Sequence, residues 1–221
     1  MIIFNYSPTK LDTHQSNYVK LLLNYLNNKK RLIMAYFPMF MDMNDLKILV
    51  IGGGVIATEK LEKLVDFSQE ITVIALEVEE EAQMIIDTHH FTLHKRAYQE
   101  GDIDGYDIVI VATDTVELHK AIYDESRERR ILVNSVDNTD YCDFIFPSYV
   151  KKDDLTIAFS TGGASPAFAK YIRRHFERII PDSVGLFLEK MKSLRTTMPK
   201  GKERMQYFDR LVEEYFQKHF K

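Results

Sequence analysis

At 221 residues, with 45% apolar and 28% charged side chains, the chain is long enough for one well-cored domain and a smaller appendage. Its net charge of −4 argues against general nucleic-acid binding, and its single cysteine, Cys142, excludes an intrachain disulfide or a multi-cysteine metal site. No apolar run is long enough to span a bilayer and no basic stretch followed by an apolar one opens the chain, so neither membrane nor leader is expected and a cytoplasmic protein is.

In chain order, residues 14–30 (HQSNYVKLLLNYLNNKK) place Tyr18, Leu21, Leu22, Tyr25 and Leu26 at helical spacing, which predicts a short amphipathic helix. Residues 46–52 are a continuous apolar strand, as expected for a strand covered on both faces. A helix over 55–66, a strand over 70–76, a helix over 77–88, a weaker strand over 91–94, a strong strand over 106–113, a helix over 115–128 and a strand over 130–136 follow. This alternation predicts an α/β fold with a Rossmann-like parallel sheet. The pattern then changes: FIFPSYV and LTIAFS read as an antiparallel pair turning at KKDD. In the next helix Ser165 is the expected N-cap, Pro166 suits the first turn, and Pro181 marks the end. Two helical stripes close the chain, Val184, Phe187, Leu188, Met191 and Leu194, then Phe208, Leu211, Val212, Tyr215, Phe216 and His219.

Three glycines, Gly52, Gly53 and Gly54, stand between the first strand and its helix. Gly52, Gly54 and Ala57 fill the small positions of G-x-G-x-x-G/A. Gly52 permits the tight turn, Gly54 lets a pyrophosphate approach the backbone, and Ala57 lets the helix pack on the sheet. The acidic partner for a ribose is expected about 20 residues on; Glu77 comes 25 after Gly52, followed by Glu79, Glu80 and Glu81 with no arginine near. A 2′-phosphate would be repelled there, so NAD is expected rather than NADP. The alternative is that these glutamates serve only as an acidic helix N-terminus.

Beyond the strand over 130–136 stand Asp137, Asp140 and Asp143. A carboxylate at that end of a parallel sheet can accept a proton while hydride leaves a substrate, and composition does not choose among the three. STGGASP joins a strand to a helix N-terminus, where the Ser160 and Thr161 hydroxyls and the amides of Gly162 and Gly163 suit carboxylates. Lys170, Arg174 and Arg178 recur every fourth residue on that helix, a row that an anionic ligand or dimer partner would stabilise, unless Glu177 pairs with it locally. No histidine–cysteine spacing suggests a fixed metal site; His89 and His90 are expected at the surface and Cys142 is expected to be inert.

With IGGGVIA, VATD, NSVD, FIFPS and STGGASPAFAKYIR in this order, the sequence resembles the precorrin-2 dehydrogenase/sirohydrochlorin ferrochelatase family, the dehydrogenase-chelatase module of siroheme synthase. The resemblance runs from about Tyr36 to Pro181. It implies NAD-dependent oxidation of precorrin-2 to sirohydrochlorin, then insertion of ferrous iron as a substrate to give siroheme. It implies a homodimer with a Rossmann domain, an intervening dimerisation region and a small helical domain, here 35–143, 144–164 and 165–221 behind an extension over 1–34. It places Val55 and Ile56 against the cofactor, Leu76 and Glu77 near its ribose, Thr113 at the fourth strand's end, and Asp137 in catalysis. Two departures stand out. Thirty-three residues precede Met34, where such chains usually begin, and Thr161 stands where some members have serine. Two competing readings share the glycine loop: a non-enzymatic NAD-sensing domain with a helical dimerisation tail, and a dehydrogenase for another small substrate. A sensor does not need NSVD and STGGASP.

Overall fold

The structure, a computed structural model, describes residues 36–136 and 138–220. The helix expected over 14–30 and Asp137 therefore lie outside the described residues. All the elements below belong to the unit Pro38–Lys221.

Short apolar strands build one sheet. β1 (Ile48–Ile51), β2 (Ile71–Ala75), β3 (Thr92–Lys95), β4 (Ile108–Val111) and β5 (Leu132–Ser135) pair in the order β3-β2-β1-β4-β5, every pair parallel. α1 (Val55–Leu64) and α2 (Glu80–His89) cover one face, and α3 (Val116–Arg127) covers the other. Alternation along the strands decides which residue meets which layer. Ile48 and Val50 join Ala57, Leu61, Ala82 and Ile86 in one core, while Leu49 and Ile51 join Val109, Val111, Ile122 and Val133 in the other. The strand order reverses between β1 and β4, so the crevice at their carboxyl ends is the place where such a sheet takes ligands.

The link from β3 to β4 carries no helix. Ile103 anchors it in the second core, and two carboxylates hold it: Arg96 forks onto Asp102 at 2.5 and 2.8 Å, and Glu125 of α3 accepts from the Tyr98 hydroxyl at 2.5 Å and the Gly101 amide at 2.8 Å.

The hairpin departs from the sequence reading. β6 (Ser148–Lys152) begins only after Pro147, which has no N–H to donate to a ladder, and it pairs antiparallel with β7 (Leu155–Phe159). Phe144 and Phe146, expected in the strand, instead pack against the first core. The turn is tighter than KKDD: Lys151 and Lys152 stay in the strand, and Asp153 takes the left-handed φ of +51° that aspartate tolerates.

Three helices follow: α4 (Pro166–Ile179), α5 (Val184–Thr197) and α6 (Lys202–His219). The Ser165 hydroxyl caps α4 by accepting the Phe168 amide at 3.2 Å, as the sequence predicts. Val150, Ile180 and Val184 form a third core with Leu155, Ile157, Phe159, Phe176 and Leu188. Phe187 stacks on Tyr215 at 4.1 Å and the Tyr215 hydroxyl meets Ser183 at 2.9 Å, which fixes α6 to α5. The second stripe divides. Phe208 is buried and Leu211, Tyr215 and His219 are partly so, whereas Val212 and Phe216 face solvent. The hairpin touches the sheet layer through Tyr149, whose ring meets Phe67 edge-on at 5.5 Å just beyond the C-terminal end of α1.

Candidate functional site

The three glycines are required for three different reasons. Gly52 leaves β1 at φ +118°, and a Cβ there would lie 2.1 Å from the Ala112 carbonyl oxygen beyond β4. Gly53 has an ordinary φ, but its Cβ would lie 2.4 Å from the Glu77 carbonyl oxygen and 3.0 Å from the Ala75 side chain. Gly54 meets nothing within 4 Å. It stands at the N-cap of α1 with no side-chain cap and no acidic residue in the first turn. Open space in front of unpaired helix N-terminal amides is what a pyrophosphate needs. Ala57 is fully buried against the sheet, where a larger side chain would push the helix away. The reason for Gly53 escapes a reading of the sequence, because its neighbour lies 24 residues further on.

The other residues expected at the cofactor gather at the same edge of the sheet. Leu76 and Glu77 follow β2 directly and are both exposed. The loop they start is fastened to the glycines, since the Glu79 amide donates to the Gly53 carbonyl at 2.8 Å. The helix expected from residue 77 begins at Glu80. The acidic run is thereby split: Glu80 and Glu81 lie in the first turn of α2, where they complement its dipole, and Glu77 stands apart beside Gly53. Val55 is exposed at the start of α1, whereas Ile56 turns partly into the first core. Thr113, two residues beyond β4, brings its methyl group to 3.5 Å from the Cβ position of Gly52. Its carbonyl accepts from Nε2 of the buried His119 at 2.8 Å, and its buried hydroxyl has no partner among the described residues. His119 carried no sequence signal, since a lone histidine in a polar helix reads as surface.

The segment after β5 is tied back to that strand. Asp143 accepts two hydrogen bonds from the Arg127 guanidinium, at 2.8 and 2.5 Å, and one from the Val133 amide at 2.8 Å. Its own amide returns to the Val133 carbonyl at 2.8 Å. That carboxylate is occupied in holding the loop, so it is a poor candidate for proton transfer. Asp140 stands in a short 3-10 turn (Thr139–Tyr141) with its amide donating to the Asn138 side chain at 3.3 Å. Asn134 donates to the Phe144 carbonyl at 2.8 Å. Cys142 is half-buried, and burial raises its thiol above the ordinary value. Its sulfur accepts the Ser135 amide at 3.2 Å and lies 3.1 Å from the Ser135 carbonyl and 3.2 Å from that of Asn138.

STGGASP forms a self-contained turn. The Ser160 hydroxyl accepts the Gly162 amide at 3.1 Å, and the Thr161 hydroxyl accepts the Ser165 amide at 3.0 Å. Of the two glycine amides that looked available, that of Gly162 is thus already used, while both hydroxyl hydrogens remain to donate. Gly162 and Gly163 sit at φ +59° and +83° in open space. Lys170, Arg174 and Arg178 are exposed, and among the described residues none forms an ion pair. Glu177 pairs with Arg173 at 2.7 Å rather than with that row. Beside the row, Phe168 and Tyr171 are 60% and 71% exposed. Among the described residues no hydrogen bond or ion pair links this region to the glycine loop. His89 and His90 are exposed, no group of three or more His, Cys, Asp or Glu side chains is placed to hold a metal, and no helix is long and apolar enough to cross a membrane, all among the described residues.

Two family models match the chain, one described as NAD(P)-binding over residues 39–148 and one described as sirohaem biosynthesis protein central over residues 152–179. Together they cover more than half of it. The chain is 39% identical over 165 residues to a siroheme synthase of Pseudoalteromonas atlantica, which covers 75% of this chain and 36% of that protein. It is 34% identical over 184 residues to a siroheme synthase of Methylococcus capsulatus, covering 81% and 39%. The chain thus spans little more than a third of the length of these relatives. Among solved structures, SirC, a precorrin-2 dehydrogenase, shares the fold with a TM-score of 0.65 at 24% identity, over 80% of this chain and 88% of that one.

Proposed function

Because the chain belongs to the NAD(P)-binding family of sirohaem biosynthesis that these two models describe, we propose that it oxidises precorrin-2 to sirohydrochlorin with NAD and then inserts ferrous iron. One observation carries the dinucleotide part: the open space at Gly54 before the uncapped N-terminus of α1, next to Gly52 and Gly53, which Thr113 and Glu77 adjoin. The residues present fit a dinucleotide. Gly52, Gly53 and Gly54 give the backbone its path, the first amides of α1 at Val55 and Ile56 would hold the pyrophosphate, and Glu77, with Leu76 beside it, would hold the ribose hydroxyls. NAD, when bound, supplies the hydride acceptor. The free carboxylate of Glu77 favours NAD over NADP, because a 2′-phosphate beside it would be repelled.

In this reading Asp137 receives the proton that the tetrapyrrole releases as its hydride departs. The same carboxylate takes up pyrrole N–H protons when iron, a substrate here, enters the macrocycle. The Arg127-bound state of Asp143 supports Asp137 over that rival. Ser160, Thr161, Gly162, Gly163, Lys170 and Arg174 hold the substrate's carboxylates. Among the described residues of one chain, none of these has a hydrogen bond or ion pair to the glycine loop, and Phe168 and Tyr171 are exposed. Both features support a homodimer in which the two groups of residues meet across the subunit junction.

The test is single-turnover oxidation of precorrin-2, followed by NADH absorbance, and separately iron insertion into sirohydrochlorin. Asp137→Ala should slow both by about 10²–10⁴-fold with little change in NAD affinity. Full activity of that variant in both assays removes Asp137 from the mechanism. Absence of NADH formation by the unaltered protein rejects the enzyme reading.

A further inference from the structure

The turn from β4 into α3 is fixed at both ends by main-chain bonds. The Ala112 amide donates to the Ile51 carbonyl at 2.8 Å, and the Leu118 and His119 amides donate to the Thr115 carbonyl at 3.1 and 3.3 Å. Thr113 and Asp114 stand between these ends. Among the described residues, the one hydrogen bond to either of them comes from the buried His119 ring, whose Nε2 lies 2.8 Å from the Thr113 carbonyl oxygen. A carbonyl only accepts, so Nε2 carries the hydrogen. The bond turns the Thr113 carbonyl toward α3. The Asp114 N–H of the same trans peptide therefore points the opposite way, and it has no acceptor among the described residues. We infer that His119 is a positioning residue: it sets this peptide plane, so that the Asp114 amide stands beyond β4 as a donor to an oxygen of the bound dinucleotide. This rests on the dinucleotide reading of the glycine loop, which Thr113 adjoins at Gly52.

The chemistry suits histidine and does not suit an apolar residue. Nδ1 is buried without a partner among the described residues, which costs free energy that an aliphatic side chain would not. An aliphatic side chain, however, would fill the space and leave the Thr113 carbonyl without a donor. The Thr113–Asp114 peptide could then rotate between its fixed ends, and the Asp114 amide would lose its direction. Nothing in this role needs the ring to exchange a proton.

Two measurements test the assignment. In the protein without cofactor, nitrogen NMR of the His119 ring should place a hydrogen on Nε2; a hydrogen on Nδ1 alone overturns it. In calorimetric titration, His119→Leu should weaken NAD binding about tenfold, the scale of one hydrogen bond. His119→Gln, whose side-chain amide can donate from nearly the same place, should stay within about threefold of the original, a rescue that a space-filling role does not give. Full NAD affinity in His119→Leu, or equal losses in the leucine and glutamine variants, overturns the proposal. Gly54→Asp is the control. Its loss of NAD binding beside full affinity in His119→Leu removes His119 alone, whereas undiminished binding by Gly54→Asp overturns the dinucleotide reading and this proposal with it. Should His119→Leu fail to fold, His119→Asn, whose amide stops one bond short of the carbonyl, takes its place with the same loss expected.

Discussion

Two turns of this protein look alike in sequence, IGGGV after β1 and STGGA after β7, yet their glycines answer to different constraints. In the first, Gly52 and Gly53 are squeezed by backbone from β4 and from the loop after β2. In the second, a Cβ on Gly162 or Gly163 would meet nothing within 4 Å, and these glycines are selected by their own left-handed φ. The first turn is therefore a tertiary construction that fails if any neighbouring layer moves. The second is a local device that hydroxyls and glycines build by themselves. A cofactor cradle needs the former, because its geometry must be held while a ligand comes and goes.

The largest effect that follows is at Gly52. Gly52→Ala places a methyl group 2.1 Å from a main-chain oxygen that cannot rotate away, at a φ of +118°. The backbone strain is about 1–3 kcal/mol, and the overlap adds to it, so a loss of more than about 3 kcal/mol is expected in denaturant unfolding. Gly53→Ala should follow closely, through the Glu77 carbonyl. A protein with Gly52→Ala as stable as the original would break the comparison at its root.

Gly54→Asp sharpens the comparison, because it separates ligand space from structural space. Nothing stands within 4 Å of the new Cβ, so the fold should survive with an unchanged thermal midpoint. A carboxylate in front of the α1 amides should nevertheless weaken NAD binding roughly a hundredfold, about 2.7 kcal/mol. Calorimetric titration decides: unchanged affinity removes the pyrophosphate from this loop. The same titration with NADP should give weaker binding than NAD in the unaltered protein.

How much of this was legible beforehand follows the same division between local and tertiary causes. β1 and β4 could be read because each is a short continuous apolar run, the weaker β3 (TLHK) only from the alternation around it, and the Ser165 cap because it is a local signal. The hairpin was misplaced by several residues because FIFPSYV is apolar and β-prone throughout. Only the missing N–H of Pro147 and the pull of the first core on Phe144 and Phe146 decide its start. Glu77 was readable as an acidic residue after β2. Its separation from Glu80 and Glu81 was not, because the start of α2 depends on the bond from Glu79 to Gly53. The roles of Gly53 and His119 were invisible for one reason: each depends on main-chain atoms brought close by the fold and not by the sequence.

The smallest expected effect belongs to the second turn and sharpens the contrast from its other side. Gly163→Ala meets no atom within 4 Å, so its cost is the left-handed conformation alone, about 1 kcal/mol. Part of that is offset because alanine narrows the unfolded ensemble. The neighbouring bonds, Ser160 to the Gly162 amide and Thr161 to the Ser165 amide, do not involve the Gly163 side-chain position and should persist. Unfolding of this variant should therefore differ from the original by no more than about 1 kcal/mol, against more than about 3 kcal/mol for Gly52→Ala. NAD affinity should be unchanged, since among the described residues the glycine loop has no hydrogen bond or ion pair to this turn. A Gly163→Ala protein destabilised as severely as Gly52→Ala would mean that this turn, too, is held by surroundings that its open space does not suggest.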